Sequence, residues 1–155
     1  MVTDRFISEP NRDWRPPEVT WPDGKTFAFA VFDDPDFQTV ERGRPVYDFL
    51  SGLGFRTTRG IFPGLKLTPA SYYSVTCNDP AHLQWVLSLK ERGFEVGWHG
   101  ASPVSSTREQ TIEGLERFRQ LFGDWPYTSS QHYECGENMY LGGRAAFIPA
   151  TPSRL

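Results

Sequence analysis

The chain has little of what would mark a secreted, membrane or nucleotide-binding protein. Cys77 and Cys135 are the only two cysteines in 155 residues. That is too few for a disulfide framework, and in a reducing compartment two free thiols are the simpler expectation. No apolar run approaches the about 20 residues of a membrane-spanning helix. Residues 1 to 15 are polar and charged, with no apolar core of a secretory signal, which makes the cytoplasm the expected compartment. Neither sign of charge dominates: 16 basic against 19 acidic residues leave a net charge of −3. That balance gives no reason to expect a nucleic acid or an acidic membrane as partner. The glycine-rich pieces, 97 to 100 and 142 to 143, match no phosphate-binding fingerprint. The absence of a Gly-x-Ser-x-Gly elbow weakens a serine-hydrolase reading.

What remains is an ordinary globular composition, 38% apolar and 23% charged but rich in aromatics at 15%. The length suits one domain with a real core. Its most informative segment is Phe27-Ala28-Phe29-Ala30-Val31-Phe32-Asp33-Asp34-Pro35-Asp36. Six consecutive apolar residues supply both faces of a strand, which suits one buried between two layers. Pro35 cannot continue a ladder, so the strand should stop at the aspartates. Adjacent acids there repel one another and call for a cation, a proton or hydrogen bonds. The plain reading is a polar exit in which Asp34 braces a turn.

Along the chain, residues 1 to 24 hold four prolines and little periodicity, and read as an extended arm. A first strand is expected over 25 to 32, and a helix from about Pro45 to Leu53 with Pro45 in its first turn. A second strand follows at 56 to 62. Asn78-Asp79-Pro80 is a helix start, and Leu83, Val86, Leu87 and Leu89 give its stripe to Arg92. Residues 94 to 98 form a third strand. Ser106 and Glu109 have the spacing of a capping box for a third helix, with Ile112, Leu115, Phe118, Leu121 and Phe122 as its stripe. Residues 127 to 131 are a candidate fourth strand. This alternation is the signature of a parallel α/β sheet or barrel.

In such folds ligands bind at the carboxyl ends of the strands. Asp33 and Asp34 end the first strand, His99 follows the third and His132 the fourth. A carboxylate with two imidazoles, Asp34, His99 and His132, is a three-ligand set with an open position, as expected of zinc or a similar divalent ion. Asp33 would then act as base toward the water that such an ion activates. His82, in the first turn of a helix, is expected at the surface. A rival arrangement is a structural zinc site from His132, Cys135 and either Cys77 or His99.

On these residues the chain resembles the polysaccharide deacetylase family, metal-dependent carbohydrate esterases with a distorted (β/α) barrel. That family's first motif, T-F-D-D-G, is matched by Val31-Phe32-Asp33-Asp34-Pro35. The resemblance gives Asp33 the role of catalytic base and Asp34 that of metal ligand. The lead into the second motif, H-x-x-x-H, is matched by Glu95-Val96-Gly97-Trp98-His99, while Pro103 stands at its second histidine. His132 would supply the missing ligand. Gln131-His132-Tyr133-Glu134 stands where R-x-P-Y is usual. Thr57-Thr58-Arg59, Cys77-Asn78-Asp79-Pro80 and Ser105-Ser106-Thr107-Arg108-Glu109 resemble a divergent branch of the family.

The resemblance covers about residues 25 to 141, roughly the first half of a family domain. It implies a partial (β/α) barrel over 25–142, apparently truncated, with an irregular tail at 143–155. An open sheet edge of that kind would favour a homo-oligomer. The implied activity is a hydrolase of carbon–nitrogen (non-peptide) or ester bonds. It would remove an acyl group from an N- or O-acylated carbohydrate or related amide, with zinc as cofactor and Trp98 and Tyr133 at the substrate. The alternative is an inactive deacetylase-like domain with a carbohydrate-binding role or none. Five tryptophans and six tyrosines could provide stacking platforms for sugar rings.

Overall fold

The computed structural model describes residues 18, 20–65, 74–131 and 135–137. Among them three parallel strands, β1 (Phe32–Asp33), β2 (Thr58–Ile61) and β3 (Glu95–Trp98), form an open sheet in the order β1-β2-β3. Helix α1 (Val40–Gly52) connects β1 to β2. Helix α2 (Pro80–Glu91) lies between β2 and β3, and α3 (Arg108–Phe122) follows β3. The protein is thus α/β with a parallel sheet. A closed barrel is not formed by the described residues.

Strand alternation divides the sheet into two faces. The register pairs Asp33 with Arg59, Arg59 with Val96 and Ile61 with Trp98. These residues face the helices. There Tyr47 of α1, Trp85, Val86 and Leu89 of α2, and Phe118 and Phe122 of α3 join Ile61, Phe94, Val96 and Trp98 in one buried core. The opposite face carries Phe32, Gly60, Gly97 and His99. A side chain on either glycine would run into the Phe32 ring, at 2.8 Å for Gly60 and 2.7 Å for Gly97. The ring therefore lies across both neighbouring strands.

The first strand is much shorter than expected, and the apolar run before it is not sandwiched between layers. Phe27, Phe29 and Val31 are 75%, 79% and 43% exposed. The register explains this. Phe32 stands opposite Thr58, the first residue of β2, so the residues upstream of Val31 have no strand residue of β2 beside them.

Helix α1 starts earlier than Pro45. Thr39 caps it by accepting from the Arg42 amide at 3.4 Å, and Pro45 sits inside the helix. In α3 the cap is Thr107, which forms a reciprocal box with Gln110 at 3.3 and 2.7 Å. Ser106 is not the cap because its own groups are engaged, the amide by Glu137 and the hydroxyl by the Val104 carbonyl. Ile112 of that helix is 49% exposed. The expected fourth strand is reduced to a bridge, in which Trp98 bonds Thr128 and Ser130 at 3.0 and 2.9 Å.

His82 is a core residue, 1% exposed, where a surface position was expected. His82, Trp85, Val86 and Leu89 stand at helical spacing on one face of α2, which carries the imidazole inward with them. Neither of its ring nitrogens has a hydrogen-bond partner among the described residues. No helix of these residues is long and apolar enough to cross a membrane.

Two outcomes follow for stability. A Cβ on Gly43 would enter the Trp85 ring, so the close approach of α1 and α2 requires glycine there. Gly43→Ala is expected to cost about 1–3 kcal/mol, read from the urea midpoint. Burial, reinforced by the Arg59 charge, pushes the His82 imidazole down from 6.5 to about 4. Above pH 6.5 both folded and unfolded chains hold it neutral. Between pH 6.5 and 4 only the unfolded chain takes up the proton, so stability falls with falling pH, by about 3 kcal/mol in total. The difference between wild type and His82→Leu, followed by urea unfolding from pH 8 to 4, should display that slope.

Candidate metal centre

The two adjacent aspartates go to different places. Asp33 continues the alternation of β1 and turns to the helix side, where a buried cation awaits it. Arg59, 0% exposed, forms an ion pair with Asp33 Oδ2 and also donates to Gln38 Oε1. The Tyr47 hydroxyl donates to the same Asp33 oxygen at 2.8 Å, and the Gln38 amide reaches both oxygens at 3.2 and 3.3 Å. Burial and the Asp33 charge push the Tyr47 phenol up, which keeps it a donor. The Arg59 guanidinium also lies 5.2 Å over the Trp85 ring.

Asp34 emerges at the other side of the strand end. Its Oδ1 accepts from the Asp36 amide at 3.0 Å and lies 3.3 Å from His99 Nε2. His99 is placed by β3, which delivers it to the face of the sheet held by Phe32 and Phe62. Its ring stands edge-on to Phe62 at 5.2 Å. The other ring nitrogen, Nδ1, is 2.7 Å from Ser130 Oγ. A hydrogen bond at Nδ1 fixes the orientation of the ring and directs Nε2 toward the carboxylates, as expected behind a metal-ligating imidazole.

Asp36 completes the group: Asp34, Asp36 and His99 each offer a ligand atom, and these atoms all lie within 4.8 Å of one another. Asp36 is held by a turn in which the Gln38 amide bonds the Pro35 carbonyl at 3.2 Å. The third residue of that turn, Phe37, takes φ 55°, a left-handed conformation where glycine is usual. A bulky side chain in that region stores about 1–3 kcal/mol of strain. Contacts outside the turn hold it: the Phe37 amide donates to Ser74 and its carbonyl accepts from Arg42 at 3.0 Å.

Of the expected site residues, the structure brings Asp34 and His99 together and places Asp33 beside Arg59. Trp98, expected at the substrate, is 5% exposed and packs in the helix-side core against Phe118. His132 and Tyr133 lie outside the described residues. Asp36, Arg59, Tyr47, Gln38 and Ser130 were not anticipated. Only Asp36 had a local signal, its spacing of two from Asp34 across a proline. As for the rival zinc site, Cys77 and Cys135 are free and buried, burial pushes the Cys77 thiol up to about 12, and His132 lies outside the described residues.

Comparison with protein-family models, with curated proteins and with solved structures returns no match for this chain.

Removing the charge of Asp33 while keeping its shape leaves Arg59 buried without its counter-ion. Asp33→Asn is therefore expected to destabilise the fold by about 3 kcal/mol. In an Arg59→Met background the same substitution should cost much less, a coupling measured by a double-mutant cycle in urea.

Proposed function

We propose that the chain is a metal-dependent hydrolase-type domain that removes an acyl group from an N- or O-acylated carbohydrate or related amide. The observation that carries this reading is the convergence of Asp34, Asp36 and His99 at the carboxyl ends of β1 and β3. Two carboxylates and one imidazole form an oxygen and nitrogen donor set suited to zinc or a similar divalent ion. The backbone strain at Phe37, next to Asp36, is of the kind that clusters at functional sites. In this reading the sheet belongs to the first half of a polysaccharide-deacetylase-type barrel, and His132 is the ligand that the resemblance adds to Asp34 and His99.

A divalent cation at such a site polarises an acyl carbonyl and lowers the pKa of water. The chain's own residues do the rest. Asp34 is oriented by the Asp36 amide, and His99 by Ser130. The base that the resemblance assigns is Asp33, which has 23% of its side chain exposed and whose carboxylate is held on the helix side of β1 by Arg59, Tyr47 and Gln38. One observation favours the alternative of a non-catalytic, carbohydrate-binding domain. The Asp33 oxygens are already shared among three donors, which competes with service as a base.

Elemental analysis after dialysis against zinc is expected to find metal on the wild-type protein and none on Asp34→Ala or His99→Ala. Full occupancy in both variants overturns the site. Ser130→Ala should bind metal about tenfold more weakly. Hydrolysis of acetylated chitooligosaccharides or of an aryl acetate that depends on added zinc or cobalt, and is lost in Asp33→Asn, selects the enzyme over the binding domain.

A further inference from the structure

Among the described residues the sheet ends at β1, with no strand beyond it, and the surface along that edge is apolar. We propose that this edge is the interface of a two-fold dimer, in which a second copy of the chain pairs its residues 26 to 32 antiparallel to the same segment. The Val31 carbonyl accepts from the Thr58 amide at 3.0 Å, so the backbone groups of the alternate residues Ala30 and Phe32 turn to the outer side. Natural sheet edges are usually blunted by charged residues or proline. Thr26-Phe27-Ala28-Phe29-Ala30-Val31-Phe32 holds no charge, proline or glycine, which is the composition of a segment that pairs with another strand.

The side chains add a patch to that edge. Asp33 reaches Tyr47 of α1 on the helix side of the sheet, and alternation sets Val31, Phe29 and Phe27 on the same side. Helix α1 carries a matching stripe. Val46 and Phe49, with Leu53 at the cap, recur at helical spacing and are 53%, 66% and 59% exposed. Asp48, off that stripe, pairs with Arg92 at the end of α2, at 2.8 Å. The stripe therefore turns away from α2, toward the open side of β1. At about 200 Å² of surface for each side chain, Phe27, Phe29 and Phe49 alone expose roughly 450 Å². Val31, Val46 and Leu53 carry the patch toward the about 800 Å² that each partner gives to a standard stable interface. A monomer seldom leaves so large an apolar patch open.

The choice of a second copy follows from charge. A patch without charge is complementary to itself, and a two-fold axis closes it on one partner. The flanking charges set the direction. Lys25 precedes the segment, whereas Asp33, Asp34 and Asp36 follow it. Antiparallel pairing brings Lys25 of each copy beside the acidic end of the other, while parallel pairing would set like charges together. With the axis at Phe29, Phe27 of one copy stands opposite Val31 of the other, and the two α1 stripes meet on the helix side.

Sedimentation equilibrium of the full chain without added metal, from about 1 to 100 μM, should give twice the chain mass of 17.7 kDa. Phe29→Lys and Phe29→Asp, at a position 79% exposed in the single chain, should each keep the far-UV circular dichroism and weaken the dimer by about a hundredfold. Mixing the two variants should restore it, because unlike charges then meet across the axis. Phe49→Asp should weaken it by about tenfold. A monomer at every concentration overturns the interface and leaves the patch to another segment of this chain or to a different protein. A dimer that ignores Phe29→Lys, or variants that mixing does not restore, overturn the pairing about Phe29. Indifference to Phe49→Asp removes α1 from the interface, and open-ended association overturns the two-fold axis.

Discussion

The buried guanidinium of Arg59 is the constraint around which the described structure is arranged. A charge with no exposure, in the middle strand of a sheet, would unfold the core unless an anion came with it. Asp33 is that anion, and the requirement holds the end of β1 against β2 although the two strands pair over only two residues. Asp33 in turn accepts from the Tyr47 hydroxyl of α1, while the guanidinium itself reaches α2 through the Trp85 ring and the loop after β1 through Gln38. Its positive charge also acts on His82, making an already desolvated imidazole harder to protonate. The Arg59–Asp33 pair thus ties the sheet to two helices and sets the electrostatics of the space between them.

Beyond Asp33 the chain must leave the sheet quickly, because Pro35 has no amide for a ladder. The exit is a turn closed from Pro35 to Gln38, with Asp34 accepting the Asp36 amide inside it. The turn returns the chain to Gln38, whose side chain rejoins the Arg59 and Asp33 network. It therefore presents two carboxylates to His99 while its far end is anchored beneath the sheet. Phe37 bears the conformational cost, in a left-handed position that a smaller residue would occupy more easily.

Features with a local cause were legible in the sequence. The start of α2 at Asp79-Pro80, the run Glu95–Trp98 leading to His99, and the convergence of Asp34 with His99 follow from capping, strand alternation and parallel topology. Features set by partners distant in sequence were not. That Phe27 and Phe29 are exposed depends on where β2 begins, which no pattern within residues 25 to 32 records. The burial of His82 was readable from its spacing to Trp85, Val86 and Leu89, but an imidazole in a first turn carries the opposite expectation. The role of Arg59 was hidden because a buried arginine is intelligible only once its counter-ion, 26 residues earlier, is known.

The division of labour between Asp33 and Asp34 rests finally on register. Because side chains alternate, a slip of one residue between β1 and β2 would set Asp34 against Arg59 and turn its neighbours to the wrong faces. Two paired residues are a weak lock by themselves. The lock is strengthened by Phe32, whose ring covers the glycines of both β2 and β3. After a one-residue slip Asp33 would take its place over those glycines, a charge on a surface shaped for an aromatic ring, and Arg59 would lose its present partner. Gly60 and Gly97 thus act on the candidate metal centre without touching it. By admitting one ring in one position, they leave Asp33 beneath the sheet and bring Asp34 to His99.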